Sequence, residues 1–412
     1  MRKYYCILFL IVASFQSVVA QSGCTDSQAL NYDPQAQTND GSCEYEPLVL
    51  NPELIVDDLP SQVDETSGLI WFNNGLWTHN DSGGEAAIYR LDPSSGELLQ
   101  TINLLNAHNF DIEDITQDDD YIYVGDFGNN YGNRDNLMIY KINKSHIPSI
   151  SDTTVPIEII RYQYNDQQNL VRKNRNNNFD CEAMLSMNDH LYLFTKNWVD
   201  QETKCYKISK NPGNYSLDIH QTFNVKGLIT GADYSLEHQC ISLIGYENFV
   251  PIIWILWDFS GDTVFSGNKK RIDMAFLQGA QTEGICFSDN DQLLFSCEAS
   301  FYPPSLYRLY MSQIIDPSAV PKVSFEPYQI ELQPIPAQNQ VVVKIMGLNR
   351  PSFDIELYNL GWQKVKQYSY SEKAFQQEVN ITFPINDIPS GLYFVRVKQG
   401  TKIGFKKLVI NK

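Results

Sequence analysis

The 412-residue sequence predicts an all-β chain, a β-propeller of five blades (alternatively six) followed by an Ig-like β-sandwich. Three observations predict it. Tyr and Phe dominate an aromatic content of 12%, which favours pleated strands over helices. A four-strand pattern recurs through the middle of the chain. Beyond it, the last part alternates apolar and polar positions with the period of two that strands require.

Each recurring unit opens with a polar residue, then a small one, then apolar ones. Five such runs occur: Ser67-Gly68-Leu69-Ile70, Glu113-Asp114-Ile115, Glu182-Ala183-Met184-Leu185, Thr230-Gly231-Ala232 and Glu283-Gly284-Ile285-Cys286. They stand about fifty residues apart, with one interval of about seventy. A turn and a second strand follow each run, as in Tyr121-Ile122-Tyr123-Val124, and then a third, as in Leu137 to Ile142. Fourth strands fit Leu99 to Leu104, Ile157 to Tyr164, Ile219 to Val225 and Thr263 to Met274. Four strands per unit is the propeller blade. The fifth unit has no fourth strand before Pro317. The stretch Leu48 to Val56 can supply it, which closes the ring and removes an open edge. The long second interval leaves room for a sixth, degenerate blade.

The ends divide the chain further. Arg2 and Lys3 precede a short apolar run and the small residues Val18-Val19-Ala20, the pattern of a signal peptide over residues 1–20. Residues 21–46 form a Cys-flanked acidic module, 47–318 the propeller and 319–412 the sandwich. No later stretch is long and apolar enough to span a membrane. The strongest, Val250 to Phe259, is strand-sized. The net charge of −18 argues against nucleic-acid and anionic-membrane partners, which need a basic face, and permits cation binding.

Seven cysteines follow the signal segment, and an odd number leaves at least one free thiol. Cys24 and Cys43 bracket a polar segment with no core of its own, and a disulfide is expected there. Pairing among the other five is open. Cys181, Cys240, Cys286 and Cys297 lie in apolar strand patterns where buried thiols are expected. Between Cys24 and Cys43, Asp26, Asn31, Asp33, Asn39 and Asp40 offer the oxygen ligands that a hard cation such as calcium takes. A disulfide-pinned spacer without metal is the equal alternative. The segment, with its NYDP and DGSC cores, resembles a short module of secreted Bacteroidetes proteins.

The C-terminal run carries a second resemblance. Pro334 to Ala337, Leu357 to Val365, Ser390 to Val397 and Lys406 to Ile410 resemble the motifs of the type IX secretion sorting domain, although Ile335 replaces the usual Asn and the Leu357 to Gly361 stretch is one residue short. The resemblance implies passage via the periplasm to the outer-membrane surface or the medium, and the type IX secretion machinery as partner. The middle, through its DIEDI and NFDCEAM runs, resembles SMP-30/NHL-like and esterase-like-phytase propellers. That implies a fold and no activity.

Blade geometry then orders the candidate ligand-binding residues. The starts of first strands and the ends of second strands share one face. It collects Ser67, Glu113, Glu182, Thr230 and Glu283, with Asp81, Asp126 and Glu298 just outside. Such a ring suits a hard cation with channel water, or paired carboxylates working as a hydrolase, or polar groups that cap strands. His79 and His108 fall nearest this face. The basic loop Arg172-Lys173-Asn174-Arg175 hangs over it. No H-E-x-x-H, G-x-S-x-G or P-loop occurs. Two functions are consistent with this: a secreted or cell-surface propeller binding a ligand, glycan or protein partner, and an extracellular metal-dependent phosphoesterase or glycosidase.

Overall fold

A computed structural model describes residues 21–46, 48–289, 291–300, 302–314, 329–348, 352–359, 364–371, 378–399 and 402–412. The expected signal segment 1–20 and residues 360–363 of one sorting motif lie outside these. Strands dominate, and five antiparallel sheets surround one axis. Their first strands are Thr66–Phe72, Ile112–Gln117, Cys181–Met187, Leu228–Ser235 and Thr282–Ser288. Each is followed outward by a second, third and fourth strand. In the fifth sheet the fourth strand is Glu53–Val56, contributed from ahead of the first sheet and antiparallel to Ser305–Tyr310. The chain therefore fastens its own ring.

Five apolar cores hold the sheets, one between each neighbouring pair. Ile70, Trp77 and Ile88 of the first sheet meet Ile115, Val124 and Tyr140 of the second. The series ends where Leu294 and Leu306 of the fifth sheet meet Leu69 and Leu76 of the first. Alternating burial along each strand lets one sheet face two neighbours, so every sheet is buried on both sides.

Outer edges would expose unpaired amides, and short strands cover several of them. Thr153–Val155 runs parallel to Leu98–Leu104, and Gly213–Leu217 runs parallel to Ile157–Tyr164. Each comes from the next sheet's connection between its third and fourth strands. The extra length of the second interval goes into the segment that carries Thr153–Val155 and into the loop before Cys181. Leu48–Val49 covers Asn268–Asp273. The acidic module docks beside it. Asn39 Nδ2 donates to Asp258 Oδ2 (2.7 Å) and Asn268 Oδ1 (3.0 Å), and the rings of Tyr45 and Trp257 lie 5.2 Å apart.

The axis is filled. The second residues of the recurring runs, Gly68, Asp114, Ala183, Gly231 and Gly284, approach one another there. A Cβ on Gly231 would stand 2.2 Å from the Glu283 carbonyl oxygen, and one on Gly284 2.6 Å from that of Ser67. Asp114 occupies the remaining space. It accepts from the amides of Ile115 (2.8 Å), Met184 (2.6 Å) and Ala232 (3.3 Å), so one side chain ties three sheets. The expected water-filled channel is thus a closed axis with a pocket above it.

The C-terminal part forms two packed sheets. One contains Gln329–Gln333, Gln340–Met346 and Glu378–Pro384. The other contains Lys364–Ser371, Ser352–Tyr358, Gly391–Gln399 and Lys402–Ile410. Val343, Phe353, Ile355, Ile381, Val397 and Leu408 lie in the core between them. Among the described residues no helix is long and apolar enough to cross a membrane.

Candidate functional site

Each first strand carries the same irregularity near its start. Opposite the second strand, pairing skips from Cys181 to Ala183, from Ile229 to Gly231, from Thr66 to Leu69 and from Thr282 to Ile285, and Asp126 and Gly125 pair with Ile112 and Asp114. The residues passed over include Glu182, Thr230, Ser67, Glu283 and Glu113. A bulge of this kind bends a strand and re-aims its side chain. The fivefold repeat therefore turns these residues toward the upper end of the axis.

They divide by what they touch. Ser67 Oγ donates to the Glu113 carbonyl (2.8 Å) and Thr230 Oγ1 to the Thr282 carbonyl (2.7 Å), so both hydroxyls tie neighbouring sheets. The three glutamates gather over the filled axis. Glu182 Oε2 lies 2.8 Å from Lys196 Nζ, and both side chains are buried. Glu113 and Glu283 are buried as well, and Glu283 Oε2 has no hydrogen-bond partner among the described residues. Asp81, Asp111 and Glu113 each bring a carboxylate oxygen within 4.8 Å of the others. Gly128 makes room for them, because a Cβ there would stand 2.2 Å from Glu113 Oε1 and 2.6 Å from Asp111 Oδ2. Glu298 borders the same cluster.

Asp126 is occupied otherwise. It accepts from Arg134 (2.7 Å), the Tyr140 hydroxyl (3.2 Å) and the amides of Phe110 (3.4 Å) and Asp111 (3.2 Å). It builds the loop that presents Asp111. Asp180 is similarly held by Trp198 Nε1 (2.7 Å) and the Asn129 amide (2.5 Å). His79 Nε2 accepts the Gly68 amide (3.0 Å), and burial lowers its pKa to about 4. It is a neutral strand tie. The basic loop does lie over this face, with Arg172 above the Tyr131 ring (3.9 Å) and Arg175 above the Trp198 ring (5.2 Å).

Crowded, partly or fully buried acids repel one another and resist ionisation. Burial, then the charge of Glu182, pushes Asp81 up to about 6. Burial, then Asp81, pushes Asp111 up to about 7 although Arg134 opposes it. Glu298 rises to about 7 through burial and then Asp81. Glu113 is held well above the ordinary carboxyl range by burial and Glu182, and Glu283 by burial and Glu298, against the opposing pull of Lys196. Burial is the largest single influence and disfavours the Lys196 ammonium, but Glu182, Tyr246, Glu283 and Asp180 together outweigh it and raise the Lys196 pKa.

These shifts give a pH dependence with a fixed sign. A carboxyl raised in the folded state contributes stability below its unfolded pKa, and that contribution is lost as pH rises through its folded value. In EDTA, the melting temperature is therefore expected to fall between about pH 4 and pH 7, from the ordinary carboxyl range up to the folded values of Asp81 and Glu298. A displacement from 3.8 to about 6, as at Asp81, corresponds to on the order of 3 kcal/mol. Thermal melts of the Glu298→Gln variant should show a shallower fall, and an unchanged fall would contradict the assignment.

The acidic module uses its oxygens internally. Asp26 accepts from the Gln28 amide and the Tyr45 hydroxyl, Asn31 from the Glu44 amide, and Asp33 from the Gln35 amide and Gln21 Nε2. Asn39 and Asp40 accept the amides of Gly41 and Ser42. Cys24 and Cys43 are joined by a disulfide, whereas Cys181, Cys205, Cys240, Cys286 and Cys297 are free and buried.

Sequence reasoning missed Asp111, Asp180 and the pairing of Lys196. A signal existed for the two aspartates. Asp111-Ile112-Glu113 and Asp180-Cys181-Glu182 repeat one D-x-E spacing at the same place in two units.

Exposed apolar side chains form a rim at the same end of the sheets as the acidic cluster. Phe110, Tyr131, Val199, Phe249 and Phe276 are exposed, and all lie on connections at this end of the sheets. Phe249 is 70% exposed with φ of 65°, a conformation that costs a bulky residue energy.

Residues 331–411 match the secretion system C-terminal sorting domain family. This sorting domain is of the type IX kind. It implies export to the cell surface or the medium and an interaction with the type IX secretion machinery. No curated protein matches the chain. Among solved structures, the chain is similar to the PQQ-bound aldose sugar dehydrogenase of Streptomyces coelicolor, at 12% identity and a TM-score of 0.38, over 63% of this chain and 96% of that one. It is similar to a gluconolactonase from Xanthomonas campestris, at 11% identity and a TM-score of 0.34, over 60% and 72%. A glucose dehydrogenase gives 9% identity and a TM-score of 0.38, over 63% and 99%.

Proposed function

We propose that the propeller is a surface or secreted binding protein. Asp81, Asp111 and Glu113 hold a hard divalent cation, calcium by their all-oxygen chemistry, and a glycan or protein ligand settles over it on the apolar rim. The observation that carries this reading is the convergence of three carboxylate oxygens within 4.8 Å, with Asp81 and Asp111 half-buried and Glu113 buried. The partnerless Glu283 oxygen supports it, because a buried acceptor without a donor is costly and a cation or its water relieves it. The signal segment and the sorting domain together fit a route through the periplasm.

The test is calorimetric titration of the EDTA-treated full chain with calcium chloride. One site is expected, and the Asp111→Asn/Glu113→Gln double variant should weaken it at least tenfold, about 1.4 kcal/mol. Asp26→Asn/Asp40→Asn should leave it intact. The reading fails if calcium produces no heat and no thermal shift, or if the module variant loses the binding instead.

A second reading, metal-dependent hydrolysis of a phosphoester or glycosidic bond, is favoured by Lys196. Its buried ammonium stands among the same carboxylates and is placed to stabilise negative charge developing on a substrate. Turnover of an aryl phosphate or aryl glycoside that is lost on Glu182→Gln would select it.

A further inference from the structure

The opposite end of the propeller axis holds a separate cavity of about 910 Å³. It lies among the turns that join first to second strands. Trp71 and Phe72 come from the first sheet, Asp118 to Tyr121 from the second, Asn188 and Asp189 from the third and Tyr234 from the fourth. Its volume is near the upper end of the range for ligand pockets, about 300–1,000 Å³.

The charges in its wall exclude an anionic ligand as the best fit. Three lysines line it, and each is engaged. Lys210 Nζ lies 3.1 Å from Asp118 Oδ2 and donates to the Asn188 carbonyl (2.7 Å). Lys144 Nζ donates to the Asp118 carbonyl (2.5 Å) and stands 4.7 Å from the Phe72 ring centre. Lys141 Nζ lies 3.9 Å from the Tyr121 ring centre and 3.8 Å from Glu158. An anion would have to break these contacts.

What the cavity offers freely is different. Asn73, Asp120, Asn188 and Asp189 are exposed at its edge and supply amide donors and carboxylate acceptors. Trp71 and Tyr234 are half-buried in its wall, with the indole fixed by a 3.0 Å hydrogen bond from Nε1 to Asp289. Fixed aromatic rings beside hydrogen-bonding groups of both kinds match a ligand with apolar C–H faces and many hydroxyls. We propose that this cavity is a second binding site, distinct from the acidic pocket, for a neutral oligosaccharide.

The experiment uses the full chain and calorimetric titration with cellotetraose, maltotetraose, xylotetraose and chitotetraose, with trigalacturonate and inorganic phosphate as anionic probes. At least one neutral probe should bind, and EDTA should leave its affinity unchanged, which separates this site from the cation pocket. Trp71→Ala should weaken that binding at least tenfold. Because Trp71 also anchors a turn, the exposed pair Asn188→Ala/Asp189→Asn provides a second variant, expected to weaken binding at least fivefold with an unchanged melting temperature. The proposal is overturned if no neutral probe binds, if trigalacturonate or phosphate binds more tightly, or if binding survives both variants.

Discussion

Lys196→Met is expected to destabilise the full chain by about 3–5 kcal/mol, the usual cost of removing one partner from a buried ion pair. The Lys196 ammonium and the Glu182 carboxylate are 2.8 Å apart and both almost fully buried. The ammonium also faces the rings of Trp198 at 5.0 Å and Tyr246 at 5.4 Å. Methionine fills a similar volume, so little of the loss comes from packing. The loss comes from Glu182, which would stand unpaired among Glu113, Asp180 and Glu283. Adding Glu182→Gln should therefore recover most of it, and the double-mutant cycle should show a coupling of about 2 kcal/mol or more. Urea unfolding in EDTA measures this, with the slope unchanged and the midpoint shifted. A single-variant cost below about 1 kcal/mol would mean that the pair does not organise the pocket. Calcium should reduce the cost, since a divalent ion shares the task of neutralising these acids.

The fold was legible because its period is written in residue type. A polar residue followed by a small one marks the start of four of the five first strands, with Asp114 in the small residue's place in the other, and the structure shows the cause. The polar residue occupies a bulge, and its successor meets four equivalents at a closed axis where Gly231 and Gly284 have no room for a side chain. The closing strand was legible too, since the fifth unit lacked one and Glu53–Val56 supplies it. The site was legible in part. Position along a strand predicts which face a residue reaches, so Glu113, Glu182 and Glu283 were foreseeable at one mouth. It does not predict what a neighbouring loop offers to that residue. Asp126 looked equivalent to Asp81, but Arg134, eight positions on, takes it as a structural anchor. Ser67 and Thr230 looked like ring members, but a short hydroxyl reaches the adjacent sheet's carbonyl before it reaches the pocket. The acidic module's contact with Asp258 and Asn268 joins positions more than two hundred residues apart, and no local pattern announces it.

Asp114 is the exception to the small-residue rule, and its replacement by Ala should cost about 3–6 kcal/mol. Three amides, those of Ile115, Met184 and Ala232, would lose their acceptor together. Each buried group left unsatisfied costs about 1–3 kcal/mol, with the 3.3 Å contact to Ala232 at the low end. Burying the carboxyl opposes this, since it raises the Asp114 pKa well above the ordinary range, but the donors surrounding it make a neutral or charged acid better than none. Asp114→Asn keeps one acceptor oxygen and turns an amide donor toward the remaining N–H groups. It should recover part of the loss and fall between the wild-type chain and the Ala variant. Gly at this position, which restores the pattern of the other sheets, should be no better than Ala, because the missing feature is the acceptor and not the space. Urea unfolding of the three variants orders them. A Gly variant as stable as the wild type would show that the five first strands close the axis without the carboxylate, and that Asp114 is held there for another purpose.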